Sequence, residues 1–282
     1  MNSIYLVTTV VFMLTQSVLR KLYSNQTKSS GAFTFNVFSG VGALLFFLLT
    51  MKDPVWDLRI LPYAVAFAVS YLSAGIFALK AISVGSLSLT SLITNFSLLI
   101  PTFYSLLFLG ERGSVFFFIG VIALLVALVL VNKSSESMPI TGKWLFYVAI
   151  AFVGNGMCSL SQTLQQNAFH GAGKNELMIM ALIIVVLGSA VMMLLQERKE
   201  MKVYIKRGTV KGLACGVANG IVNMLVMVML GTMPASVVFP LITGGSIVFT
   251  YVISRTVFHE KLSKRQTIGF VLGVASIILL NI

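Results

Sequence analysis

Residues 86–111, SLSLTSLITNFSLLIPTFYSLLFLGE, are followed 149 positions later by ASVVFPLITGGSIVFTYVISRTVFHE at 235–260, and this pair decides the fold. Carried on without a gap to residues 133 and 282, the alignment keeps 11 identities over 48 positions. Leu92, Ile93, Thr94 and Ser97 recur as Leu241, Ile242, Thr243 and Ser246. Ser105, Glu111, Ser114, Ile119, Gly120, Leu130 and Asn132 recur as Ser254, Glu260, Ser263, Ile268, Gly269, Leu279 and Asn281. Apolar helices resemble one another through composition alone, but polar and glycine identities in fixed register mark an internal duplication. The chain reads as two related halves.

The 282 residues are 57% hydrophobic and 10% charged, with a mean hydropathy of +0.97. A soluble domain carries about 25% charged residues, so this composition belongs in a bilayer. Apolar stretches of roughly 20 residues, long enough to cross the hydrocarbon core as helices, lie near 3–19, 32–51, 60–82, 86–109, 114–131, 143–166, 177–195, 208–230, 235–258 and 265–281. Five spans per half is an odd number, so the second half enters the membrane from the opposite face. The expected fold is an all-α integral membrane protein of ten transmembrane helices, built as two inverted five-helix repeats. Residues 1–133 form the first repeat, 134–142 a short linker within the polar stretch NKSSESMPIT (132–141), and 143–282 the second. Inverted repeats that rock about a shared site are a recurring carrier design.

Charge sets the orientation. Loops after odd-numbered spans are assigned 16 Lys and Arg, from Arg20 and Lys21 through the Arg198–Lys211 segment to Lys264 and Arg265; the other face has only Lys52, Arg59, Arg112 and Lys174. The positive-inside rule places the first set in the cytoplasm and both termini outside, in the cytoplasmic (inner or plasma) membrane. The net charge of +12 is spread over short loops facing anionic headgroups, which excludes a nucleic-acid footprint as its explanation. The first apolar stretch is read as a retained helix, since nothing basic precedes it and no small-residue cleavage pattern ends it. Cys158 and Cys215 fall inside spans without metal-ligand spacing.

Polar side chains inside apolar spans are informative, because hydrocarbon offers them no partner. Asn155, Ser159, Gln162 and Gln166 form one stripe on span six, and Asn219 and Asn223 stand one turn apart on span eight. Thr94, Ser97 and Pro101 share a face of span four with Asn95 beside it; Thr243, Ser246 and Thr250 take the equivalent places on span nine. With the mid-span aromatics Tyr71 and Tyr104, the candidate substrate contacts are Tyr71, Asn95, Tyr104, Asn155, Ser159, Gln162, Asn219, Asn223, Thr243 and Ser246, converging on a polar, uncharged cavity. The competing role for each is a hydrogen bond between helices. Lys80 and Arg255 lie near span ends, where they either snorkel to headgroups or contact an anion.

No Asp or Glu falls in the middle of a span, and His170 and His259 are loop residues. Proton coupling through a central carboxylate, intramembrane catalysis, a metal site and a cofactor are therefore not expected. Glu111 and Glu260 stand at span ends beside Arg112 and Lys261, which suggests local pairing. Gly212, Gly216 and Gly220, and likewise Gly269 and Gly273, make small-xxx-small faces for close packing inside one chain or in a homodimer.

The stretches ALKAISVGSLSLTSLITNFSLLIPTFYSLLFLGE (78–111) and FPLITGGSIVFTYVISRTVFHEKLSKRQTIGFVLG (239–273) resemble the drug/metabolite transporter superfamily, and within it the EamA-like ten-helix carriers. The resemblance is most specific at Ala78, Leu79 and Lys80, at Glu111, and at Glu260, Gly269 and Gly273. It implies a central cavity lined by helices one, three, four, six, eight and nine, and export of amino acids or other small metabolites. Pro101 is matched by Thr250 and Pro240 by Ser91, a departure from symmetry that implies unlike gates. The expected function is alternating-access transport of a small polar or amphipathic, neutral or zwitterionic solute, with the bilayer and that solute as partners. The alternatives are an exchanger of phosphorylated or nucleotide sugars using Lys80 and Arg255, and a non-transporting receptor or assembly subunit.

Overall fold

The computed structural model describes residues 2–27, 31–52, 56–84, 90, 93–94, 96–111, 113–132, 141–256 and 263–280. Among them are ten α-helices: α1 (Asn2–Thr27), α2 (Ala32–Thr50), α3 (Leu61–Val84), α4 (Leu99–Phe108), α5 (Val115–Asn132), α6 (Gly142–Ala168), α7 (Lys174–Gln196), α8 (Met201–Leu230), α9 (Ala235–Thr256) and α10 (Lys264–Leu279). Each overlaps one expected span. Six stretches, in α1, α2, α3, α6, α7 and α8, are long and apolar enough to cross a membrane, and shorter apolar segments lie in α4, α5 and α9. The polar stretch expected as a linker lies largely outside the described residues.

Two compact units emerge, and neither is a sequence half. One takes residues 1–72 and 164–231, the other 73–163 and 232–282, so α3 and α6 contribute to both. Within the units, helices that correspond by order in the two halves pack on each other: α2 on α7 in the first, α4 on α9 and α5 on α10 in the second.

In the first unit α2 crosses α8 with backbone against backbone, and glycine makes that possible. A Cβ on Gly216 would lie 2.1 Å from the Ser39 carbonyl oxygen, and one on Gly42 would lie 2.3 Å from that of Leu213. Gly212 and Gly220 face Phe38 and Phe46 in the same way. The small-residue stripe thus serves packing inside the chain. On α10, Gly269 and Gly273 are buried.

Two glutamates fasten helix starts far away in sequence. The Glu197 carboxylate, just beyond the end of α7, accepts the backbone N–H groups of Phe33 and Thr34 at 2.8 Å each and the Thr34 hydroxyl at 2.7 Å. The Glu111 carboxylate accepts the N–H groups of Ala235 and Ser236 at 3.0 Å each. Both satisfy orphan donors in a first helical turn and place negative charge at the positive end of the helix dipole. Glu111 thus caps a distant helix, a role beyond the helix termination and local pairing expected of it, because a helix N-terminus supplies two aligned donors. Arg112, Glu260 and Lys261 lie outside the described residues.

In the second unit the helix preceding Pro101 is broken. Proline lacks the N–H that would bond the carbonyl four residues back, and the Ser97 carbonyl instead accepts from the Ile100 N–H at 3.0 Å. Residues 97 and 98 form a turn and α4 begins at Leu99.

Candidate functional site

A column of polar side chains runs along the contact of α1 with α8 in the first unit. Each helix contains an apolar stretch of membrane length, and polar groups within such a stretch must satisfy one another or water. At one end, Lys202, Lys206, Arg207 and Lys211 line a cleft of about 570 Å³ together with Gln26. Lys211 Nζ donates to Gln26 Oε1 at 2.9 Å, and Arg207 donates to the Gln26 carbonyl. One turn deeper on α8, the Arg20 guanidinium is hydrogen-bonded to the side chains of Tyr71, from α3, and Cys215. A further turn on, Asn219 Nδ2 donates to Gln16 Oε1 at 3.0 Å. The column ends at Asn223, whose Nδ2 donates to Asn219 Oδ1 at 3.0 Å and to the Asn219 carbonyl at 2.9 Å.

This placement of Arg20 differs from the loop position expected from hydropathy. The helix does not stop where the apolar run stops: α1 continues seven residues past Arg20, to Thr27, and no Gly or Pro interrupts it before Gly31. Arg20 is exposed, although protein atoms crowd its guanidinium. Cys215, which it touches, is fully buried. The polar column of this unit is therefore not uncharged. Gln16 and Arg20 were absent from the sequence-based set; their spacing of four on one helix face, just past an apolar stretch, was the available signal.

The second unit holds Asn155. Its Nδ2 donates to Ser97 Oγ at 2.7 Å and to the Thr94 carbonyl at 3.4 Å, patching the helix break before Pro101. The Ser97 hydroxyl in turn donates to the Thr94 carbonyl at 2.5 Å. A Cβ on the neighbouring Gly156 would lie 2.8 Å from the Ser97 carbonyl, so α6 lies directly against the break. Trp144 Nε1 donates to the buried Thr90 hydroxyl at 3.1 Å at the start of the same helix.

The remaining candidates fall apart from these groups. Thr243 is buried and its hydroxyl donates to the Phe239 carbonyl at 2.9 Å, while Ser246 is half-buried. Along α6, Ser159 is half-buried and Gln162 is buried. Gln166, also buried, bonds Gln165, but its own Oε1 has no partner among the described residues. Tyr104 stacks obliquely on Phe108, with ring centroids 4.8 Å apart. Tyr71 stacks on Phe67 at 6.0 Å. Lys80 is exposed, its ammonium 5.2 Å from the Phe77 ring and 5.9 Å from that of Tyr147, a cation–π setting that suits a snorkelling lysine. Asn95 and the side chain of Arg255 lie outside the described residues. Among the described residues no cluster of His, Cys, Asp or Glu could hold a metal ion. At the surface, hydrogen bonds from Arg59 hold the Asp57 carboxyl below its usual range.

Comparison with known proteins agrees with this architecture. No curated protein matches the sequence. A solved structure, titled only as the crystal structure of a protein, superposes with a TM-score of 0.77 at 14% identity, covering 99% of this chain and 98% of that one; at that identity the likeness concerns the fold alone. The sequence profile of the EamA-like transporter family matches residues 159–282. This matched span holds α7 to α10 and the end of α6, including the amide pair of α8.

Proposed function

We propose that the chain is a carrier in the cytoplasmic membrane that moves a small polar or amphipathic metabolite, an amino acid or drug-like solute, outward by alternating access. The observation that carries this reading is the column Gln16, Arg20, Cys215, Asn219 and Asn223 along two helices that each contain an apolar stretch of membrane length. Polar groups in such stretches are costly, and a line of them starting at a basic cleft is what a hydrated solute requires on its way through. The duplicated halves, with corresponding helices packed together, support an inverted five-plus-five arrangement and thus two access states of similar energy. Without Arg20 the loop bias is still fifteen Lys and Arg against four, which favours the basic cleft facing the cytoplasm and both termini outside.

The test is thermal stabilisation of the purified protein by amino acids, sugars, nucleotides and cationic drugs, followed by counterflow of every stabilising solute in proteoliposomes. Counterflow that Asn219→Ala abolishes supports the carrier and the column together. Stabilisation with no counterflow by any solute overturns the carrier in favour of a receptor.

A further inference from the structure

The polar column carries one full charge, and its neighbours have the chemistry to use it. Among the described residues no carboxylate pairs with Arg20; its contacts are the Tyr71 hydroxyl and the Cys215 thiol. A guanidinium has five N–H donors in a planar fork, so those contacts leave several donors unspent. One turn away on α1, Gln16 engages only its Oε1, as acceptor from Asn219, which leaves its Nε2 donors spare among the described residues. The amide chain from Asn223 through Asn219 to Gln16 is oriented donor to acceptor throughout, so it ends on those N–H groups beside the cation. The cluster therefore offers an oxygen anion a fork of charged donors and an amide donor, and offers a cation nothing comparable.

We propose that Arg20, supported by Gln16 and Tyr71, binds the carboxylate of the transported solute. The inference rests on the carrier reading and narrows it to solutes with a single carboxylate, such as amino or hydroxy acids. One guanidinium neutralises one charge. A phosphate dianion in the same place would keep one charge uncompensated by Arg20. A carboxylate matches the planar fork with two parallel N–H···O bonds. The basic cleft one turn nearer the surface concentrates anions at the entrance, and Arg20 is the first fixed charge beyond it.

The experiment uses full-length protein in proteoliposomes and matched solute series built on a branched aliphatic, an aromatic and a sugar body. Each body is offered as carboxylate, amide and amine, for example 4-methylpentanoate, leucine, leucinamide and isoamylamine. The expected result is counterflow of at least one carboxylate-bearing member with a half-saturating concentration roughly tenfold or more below that of its amide. Arg20→Gln should erase that preference and Arg20→Lys retain part of it. In the unmodified protein, phenylglyoxal labelling at Arg20, read by peptide mass spectrometry, should be slowed by the transported carboxylate and not by its amide; this arm stands even where the Arg20 variants fail to assemble. Equal or better transport of amide or amine, a preference that survives Arg20→Gln, or labelling indifferent to the carboxylate overturns the inference and leaves the carrier standing. Absence of counterflow for every member overturns the carrier reading, and this inference with it.

Discussion

The carboxylate of Glu111 holds the backbone N–H of Ser236 at 3.0 Å and that of Ala235 at the same distance, although 125 and 124 residues separate them from it. The bonds are charge-assisted, and they end the exposure of the first donors of α9, the helix with Pro240 in its interior. Glu111→Ala leaves both N–H groups without their acceptor and should cost about 2 kcal/mol, a fall of roughly 5 °C in the unfolding midpoint in detergent. Glu111→Gln, which keeps one acceptor and loses the charge, should fall between Ala and the parent. Equal stability of Glu111→Ala and the parent would show that the cap contributes nothing.

Glu197 performs the same task for α2 and adds a side-chain partner, Thr34. Because the Thr34 hydroxyl and N–H converge on one carboxylate oxygen, Thr34→Val and Glu197→Ala share an interaction. Their double variant should be less destabilised than the sum of the two single ones, by about 1 kcal/mol. Strict additivity in a thermal double-mutant cycle would remove the coupling.

Hydropathy marked an apolar run at each helix, because lipid demands such runs, but it misplaced several ends: α1 runs on to Thr27, α4 begins only at Leu99 and α8 already at Met201. The Gly212, Gly216 and Gly220 stripe was equally legible, since nothing but close helix packing calls for glycine every fourth residue of a membrane helix. The capping role of Glu111 was hidden for a different reason: the N–H groups it accepts lie more than a hundred positions away, and only the folded chain brings a helix start to it. Arg20 was misread because a hydropathy window ends at the first charge while the helix itself runs on to Thr27. Asn155 shows a third obstacle. An amide that patches a broken helix and one that faces a solute look alike in a polar stripe, and the break before Pro101 that Asn155 bonds becomes visible only in the folded chain.

Backbone contact between α2 and α8 makes Gly216 sensitive to a single methyl group. The added Cβ of Gly216→Ala would meet the Ser39 carbonyl at 2.1 Å and the Ala43 nitrogen at 2.8 Å, and neither is a flexible side-chain end. The helices must separate, so the unfolding midpoint should drop by several degrees, corresponding to about 1–3 kcal/mol of overpacking. Gly142→Ala, where nothing lies within 4 Å, should leave the midpoint within about 1 °C, as surface substitutions do. A Gly216→Ala protein as stable as the Gly142→Ala control would mean that the two helices do not approach this closely in the membrane.

Asn155 and Asn219 should separate when stability and binding are read independently. Asn155 spends its Nδ2 on Ser97 and on the Thr94 carbonyl at the break before α4, so Asn155→Ala strips a patch from opened backbone and should lower the solute-free midpoint by the equivalent of about 1–2 kcal/mol. The stabilisation added by a transported solute should survive, because no contact to that solute has been removed. Asn219 links Gln16 to Asn223 in the column beside Arg20; Asn219→Ala breaks the orientation of the amide chain and should diminish the solute-induced shift by half or more while costing the solute-free protein less. Thermal titration of both variants with one transported solute decides the matter: a lost solute response in Asn155→Ala with an intact one in Asn219→Ala would reverse the two roles and move the solute path to the second unit.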